Sequence, residues 1–367
     1  MREPLPRRPV HAKARLHRII KPMKSLSLSA SHASRKPIAI WLLICCALVF
    51  CTLVVGGVTR LTESGLSIVE WQPLLGAIPP LSHEDWLILF EKYKQIPQFH
   101  QVNHDMDLAG FQFIFWWEWA HRQIGRVIGL VFFIPLVWFW VRGRIPQGYK
   151  WKLVGFLILG GLQGAMGWYM VKSGLVNDVR VSQYRLTAHL GMAFLVFGLM
   201  LWTALGLLRE RSDDPATPAG VRRLALWVLA VVSVMVLSGG FVAGIRAGLA
   251  YNTFPLMNGH FIPADLFVLD PWWLNIFNNI TTVQFDHRMI AYVLMLLVPA
   301  LWWKVQRDAP QARGAANAML GMLVIQVSLG IATLLHHVPV SLASLHQAGA
   351  MVLFAKLIWL NHKLRTH

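Results

Sequence analysis

Four histidines, His121, His189, His287 and His346, stand in local contexts that occur twice. Glu118-Trp119-Ala120-His121-Arg122 is echoed by Gln284-Phe285-Asp286-His287-Arg288, and Leu186-Thr187-Ala188-His189 by Ala343-Ser344-Leu345-His346. Each lies near the start of a long apolar run. An ionisable side chain at the membrane end of a span costs free energy unless it is solvated, paired or bound to a metal. One such histidine is most simply read as hydrogen-bonded to a carbonyl or a lipid headgroup, but four at matching places ask for a common reason. Neutral imidazole is the usual axial donor to haem iron, and two of them can hold a planar macrocycle from both faces. Two pairs imply two haems. Zinc or copper would need more ligands per site, commonly with Cys or carboxylate, and no Cys-x-x-Cys or His-x-x-x-His grouping stands nearby.

The two copies differ where chemistry would differ. Glu118 lies three residues before His121 and so on the same helical face; the matching residue before His287 is Gln284, which cannot ionise. A carboxylate beside one haem and an amide beside the other point to one reactive and one electron-transfer haem. The structural alternative is an ion pair between Glu118 and Arg122 one turn on. Arg122, Arg126 and Arg288 are candidates to pair with haem propionates, since guanidinium forks suit carboxylates; lipid phosphate is the alternative partner.

These residues need helices to hold them, and the composition says in what solvent. Of 367 residues 56% are hydrophobic and 14% charged, a balance that points to a bilayer. Apolar runs near 39–60, 112–141, 152–171, 187–208, 224–245, 284–305, 316–335 and 343–361 each approach the roughly 20 residues a helix needs to cross. The net charge of +17 does not imply nucleic acid, because the basic residues lie in alternate connections and in both tails. By the positive-inside rule both termini then face the cytoplasm or the mitochondrial matrix, with the histidines near the outer side. The first 36 residues, with about ten Lys or Arg, read equally as a basic tail or a transit peptide. Cys45, Cys46 and Cys51 all fall within the first span and read as packing residues.

The spans repeat as well as the histidines. Gly56-Gly57-Val58-Thr59-Arg60 and Ser64-Gly65-Leu66 after the first span match Gly239-Gly240-Phe241-Val242-Ala243-Gly244 and Ala247-Gly248-Leu249 after the fifth, and Gln163 in the third matches Gln326 in the seventh. The expected architecture is an all-α integral membrane protein of eight transmembrane helices, built as two parallel-repeat four-helix bundles. Its parts are a basic tail (1–38), an N-terminal half (39–209), an inner linker (210–223) and a C-terminal half (224–367). Long outer connections follow the first and fifth spans. Their aromatics, Trp71, Trp86, Phe99, Phe254, Trp272 and Trp273, suit short surface helices over a cavity.

The runs Gly65-Leu66-Ser67-Ile68-Val69-Glu70-Trp71, Asn103-His104-Asp105-Met106, Phe115-Trp116-Trp117-Glu118-Trp119-Ala120-His121-Arg122, Ala250-Tyr251-Asn252-Thr253-Phe254-Pro255-Leu256-Met257 and Phe285-Asp286-His287-Arg288 resemble those of the haem A synthase family, in its proteobacterial and mitochondrial branch. The resemblance covers about Ile38 to Leu360. It implies an oxidoreductase that converts the C8 methyl of haem O to a formyl group through a hydroxymethyl stage, supplying haem A to terminal oxidases. It further implies His121 and His189 as ligands of the substrate haem O, Glu118 as the catalytic residue, and His287 with His346 as ligands of a haem b cofactor. Haem O synthase and terminal oxidase assembly factors are the implied partners, beside membrane lipid, and the bacterial inner membrane is the implied location, with the mitochondrial inner membrane as the alternative. The Gram-positive branch carries cysteine pairs in its outer loops. None stand here, which leaves the electron acceptor open.

Two rivals remain on sequence. A dihaem b-type electron carrier would place haems at two depths, whereas all four histidines fall on one side; a parallel-repeat transporter would show midplane charges, and none are paired there. His336 and His337 have no counterparts in the first half and read as surface residues, and the sequence assigns no role to His104.

Overall fold

The computed structural model describes residues 11–72, 75–174, 181–209 and 216–365, so the expected tail (1–38) and linker (210–223) lie partly outside the described residues. Eight long helices carry the fold: α1 (His11–Leu61), α2 (Leu108–Val141), α3 (Lys150–Gly174), α4 (Gln183–Leu208), α5 (Ala219–Gly244), α6 (Ile280–Asp308), α7 (Arg313–Leu335) and α8 (Val340–Leu364). Each contains a stretch long and apolar enough to cross a membrane, which in α1 runs from Arg35 to Leu61. The chain is an all-α multi-pass membrane protein.

Most helices start a few residues before the apolar runs do, and local chemistry sets two of these starts. The Asp107 carboxylate accepts from the Gly110 N–H at 2.8 Å and opens α2. The Asn279 side chain accepts from the N–H groups of Thr281 and Thr282 and opens α6. Such caps satisfy donors that a helix leaves unmet at its N-terminus. Helix α5 begins at Ala219, directly after Pro218, so the connection from α4 ends sooner than 223. Arg222 and Arg223 ride on the first turn of the helix; a proline, which fits the start of a helix, outweighs two basic residues in setting the boundary.

Helices α1 and α4 pack together, α2 lies on α1, and α3 lies on α4 and α2. In the second half α5 packs on α6 and α8, and α7 on α6 and α8. Contacts of α4 with α5, α1 with α8 and α4 with α8 join the halves. The apolar windows of α1, α4 and α8 are each 39% buried against 6% for α3, so α1, α4, α5 and α8 form the middle and α3 faces lipid. Small residues permit the close approach. A Cβ on Gly57 would collide with Gln347 of α8, and one on Gly240 would stand 2.8 Å from the Thr187 hydroxyl of α4. Gln347 also donates to the Leu53 carbonyl at 3.1 Å, tying α8 to α1.

The ends of α1 and α5 meet at the side from which the two long connections leave. Arg60 donates to the carbonyls of Ala243 and Gly244, at 3.0 and 3.1 Å. Just beyond, Glu63 and Arg246, both left-handed at φ 57° and 56°, form an ion pair. The first outer connection folds into short helices at His83–Tyr93 and Pro97–Val102. There Leu66, Phe90, Tyr93 and Ile96 pack with Phe111, Ile114 and Phe115 of α2 into a second apolar core. Trp86 joins it, 4.9 Å from Phe115, while Trp71, Trp272 and Trp273 stay exposed.

Candidate functional site

His121, His189, His287 and His346 are half-buried in α2, α4, α6 and α8. His189 lies within electrostatic range of His121, and His287 of His346. In each half the two helices concerned share no extensive contact. His121 sits about 20 Å from the start of its helix and the other three about 10 Å from theirs, at 1.5 Å per residue. The difference comes from α2, whose first turns rise into the aromatic core of the outer connection.

Each imidazole rests on a glycine of the preceding odd-numbered helix. A Cβ at Gly56 would stand 2.6 Å from His121 Cε1, at Gly167 3.1 Å from His189 Cε1, at Gly239 3.4 Å from His287 Cε1 and at Gly330 2.8 Å from His346 Cε1. Glutamines fix the two histidines that come second in each half. Gln163 donates to the His189 carbonyl at 3.1 Å and Gln326 to the His346 carbonyl at 2.9 Å.

Behind the rings the halves differ. His287 Nδ1 lies 3.2 Å from the Ser238 hydroxyl and His346 Nδ1 3.1 Å from the Gln326 amide. The Nδ1 atoms of His121 and His189 are buried without a partner; the Thr52 carbonyl lies near His121 but outside hydrogen-bond geometry. Ser238 precedes Gly239 just as Val55 precedes Gly56, so the first half has no hydroxyl to offer. Sequence reading passed over Ser238 and Gly330. The signal for both was present: a serine against a valine in matched positions, and a glycine four residues after Gln326 as Gly167 is after Gln163.

Glu118 is 3% exposed and fully engaged. Oε2 accepts from the Ser67 hydroxyl at 2.7 Å and the Ile68 N–H at 2.8 Å, and Oε1 from Arg122 Nε at 3.0 Å and Nη2 at 2.5 Å. The pairing with Arg122 weighed on sequence is therefore present, within a clasp on the loop that follows α1. Gln284 makes the equivalent clasp with reversed polarity, donating to the carbonyls of Ala247 and Tyr251.

The three arginines also have protein partners. Arg122 donates to the Ile68 carbonyl, Arg126 to Gln123 and the Gln72 carbonyl, and Arg288 to the carbonyls of Tyr251 and Thr253. Arg122 nevertheless borders a pocket of about 150 Å³ that Trp71, Trp168 and Lys172 also line. Its guanidinium stands 5.5 Å from the Trp71 ring, and the Lys172 ammonium 5.0 Å from the Trp168 ring. Of the other histidines noted in the sequence, His104 reaches exposed Asp105 at 2.9 Å, and His336 and His337 are exposed beyond α7.

Among the described residues no group of three or more His, Cys, Asp or Glu gathers as for a bare metal ion. Two imidazoles within electrostatic range of each other on helices without extensive contact, with glycine beneath each ring, are a donor set that fits a planar iron macrocycle ligated on both faces.

A family profile described as cytochrome oxidase assembly protein matches residues 39–358. Over 338 residues the chain is 58% identical to a protein of Nitrosospira multiformis named "Heme A synthase", covering 91% of this chain and 95% of that one. Proteins of the same name from Nitrosomonas eutropha (56% over 333 residues, 89% and 94% covered) and Rhodospirillum centenum (49% over 352 residues, 94% of each) are also similar.

Proposed function

This chain belongs to the cytochrome oxidase assembly family, and from that membership we propose the division of labour between its two halves. The activity is that of a haem A synthase: oxidation of the C8 methyl of haem O to a formyl group, supplying haem A to terminal oxidases. The observation that carries the division is the presence of two interacting imidazole pairs, with a carboxylate clasp beside one pair and an amide clasp beside the other.

In this reading residues 39–209 form the substrate half and 224–367 the cofactor half, related as parallel repeats. His121 and His189 hold haem O, and His287 and His346 hold haem b. A bound haem supplies redox-active iron next to the methyl group to be oxidised. The protein supplies position. Glycines let each imidazole lie flat against its neighbouring helix, glutamines fix the backbone of the second ligand, and the aromatic core over α2 excludes water. The Glu118 carboxylate, held by Ser67, Ile68 and Arg122, either offsets positive charge developing at the methyl carbon or takes a proton from the entering oxygen nucleophile, with the Ser67 hydroxyl as the adjoining donor. The free face of Arg122, with Lys172, suits the propionates. Arg126 and Arg288 keep the outer loops in place and are the weaker propionate candidates. Both termini then lie on the cytoplasmic side of the inner membrane, and the haem ligands nearer the outer side. Haem O synthase and oxidase assembly factors are the natural donor and recipients.

The contrast behind the rings fits this division. A hydrogen bond donated from Nδ1 orients a ligating imidazole and raises its basicity, and His287, with the Ser238 hydroxyl beside Nδ1, is the ligand placed for it, which suits a resident haem; ligands without one suit a haem that must leave as product. Ligation through Nε2 leaves the proton on Nδ1, for which the Ser238 hydroxyl is the acceptor. Ser238→Ala is expected to weaken retention of the second-half haem roughly 10-fold or more, measured as haem lost from purified protein in detergent. Ser238→Thr restores it, and equal retention in all three proteins would remove Ser238 from the assignment.

The glycines give a graded expectation. Gly56→Ala and Gly330→Ala push a methyl group under 3.0 Å from an imidazole and should change the haem absorption spectrum and reduce haem content. Gly239→Ala, at 3.4 Å, should leave both unaltered.

The direct test is pigment analysis with a conversion assay. Purified protein supplied with haem O and an electron acceptor is expected to hold haem b together with haem O or haem A, and to accumulate haem A over time. Protein that carries only haem b and leaves haem O untouched would instead be a b-type electron carrier.

A further inference from the structure

At the end of the bundle remote from the four histidines, basic groups crowd together around a missing side chain. His362, in the last turn of α8, is 3% exposed, and its Nε2 has no hydrogen-bond partner. Arg365 follows directly after α8. Both point at Gly206 of α4: a Cβ there would lie 3.8 Å from His362 Nε2, 3.8 Å from Arg365 Nη1 and 3.9 Å from Arg365 Nη2. Arg209, one turn after Gly206, donates to the His362 carbonyl at 3.0 Å, and its charge reaches both His362 and Arg365. Lys363 adds a further positive charge near His362. No carboxylate among the described residues pairs with Arg365 or His362. Trp202 closes one side, its ring 5.1 Å from that of His362 and 5.8 Å from the Arg365 guanidinium.

Partly desolvated like charges cost free energy unless an anion joins them. The donors here converge on the place that a side chain at Gly206 would occupy. A guanidinium fork and an imidazole N–H match the oxygens of a phosphate group. A tryptophan at the rim suits the membrane interface, and basic pockets between spanning helices bind anionic headgroups.

We propose that Gly206, His362 and Arg365 form a binding site for the phosphate of an anionic phospholipid, on the face opposite the haem ligands, with Arg209 adding positive charge. The site is separate from the haem chemistry, so its test does not depend on the assignments above.

The test uses full-length protein with its haem, in nanodiscs of phosphatidylcholine doped with phosphatidylglycerol. Native mass spectrometry is expected to release the protein with one phosphatidylglycerol retained per chain. Arg365→Gln should reduce that retention about 10-fold, the effect of losing a charge-assisted contact of about 1.4 kcal/mol. Gly206→Leu, which fills the niche and removes no charge, should do the same. Haem content unchanged in both variants shows that they fold. Inorganic phosphate added at excess should displace little lipid, since it lacks the acyl chains beside Trp202; displacement to completion would make free phosphate the ligand and overturn the lipid assignment. Equal retention in the parent and both variants would overturn the site itself.

Discussion

Purified protein with alanine at His287 or His346 is expected to carry about one haem fewer per chain and to form no haem A. An axial imidazole is a direct bond to iron, so its loss should exceed the roughly 10- to 100-fold that loss of a partner behind a ligand costs in affinity. The second ligand alone cannot compensate, because Gln326 and the glycine beneath each ring place it for one face of the macrocycle only. Alanine at His121 or His189 should have a different signature: the second-half haem stays, while haem O is no longer retained or converted. The measurement is the haem-to-protein ratio, with extracted pigments separated by chromatography. Loss of the same haem from all four variants would mean that the imidazoles do not act as two independent pairs.

Glu118→Gln is expected to keep haem content near that of the parent and to slow haem A formation by roughly 10²- to 10⁴-fold, the usual contribution of a positioned acid or base. Glutamine is the informative choice because Gln284 already makes the matching clasp with an amide. Glu118→Ala would confound two effects. It strips the partner from Arg122, whose side chain is 13% exposed, and leaves the Ile68 N–H unmet. Breaking a buried pair in this way costs about 3–5 kcal/mol and frees the loop after α1. Unimpaired haem A output from the glutamine variant would reduce Glu118 to a fastener between α2 and that loop.

Much of this architecture was legible in the residues. Seven of the eight apolar runs lie inside their helices and the fifth ends one residue past its own, because a span must be apolar along nearly its whole length. The four histidines stood out because the chain states them twice. The helix starts did not stand out, since Asp107 and Asn279 act through hydrogen bonds to their own backbone and add nothing to hydropathy. The extra length of α2 was equally hidden: its first turns are apolar on account of the aromatic core they share with the connection after α1. The clasp on Glu118 was only half visible. Its i+4 bond to Arg122 follows from helical spacing, but the bonds from Ser67 and Ile68 depend on how the loop returns, which one sequence does not disclose. Ser238 required comparing matched positions for what differs, whereas a search for repeats attends to what is shared.

The ion pair between Glu63 and Arg246 has a consequence for how the halves recognise each other. These residues fill equivalent places in the duplicated pattern, so a self-association of two identical N-terminal halves would set glutamate against glutamate, and two C-terminal halves arginine against arginine. Opposite signs at matching positions thus favour the mixed pairing over either like-with-like one.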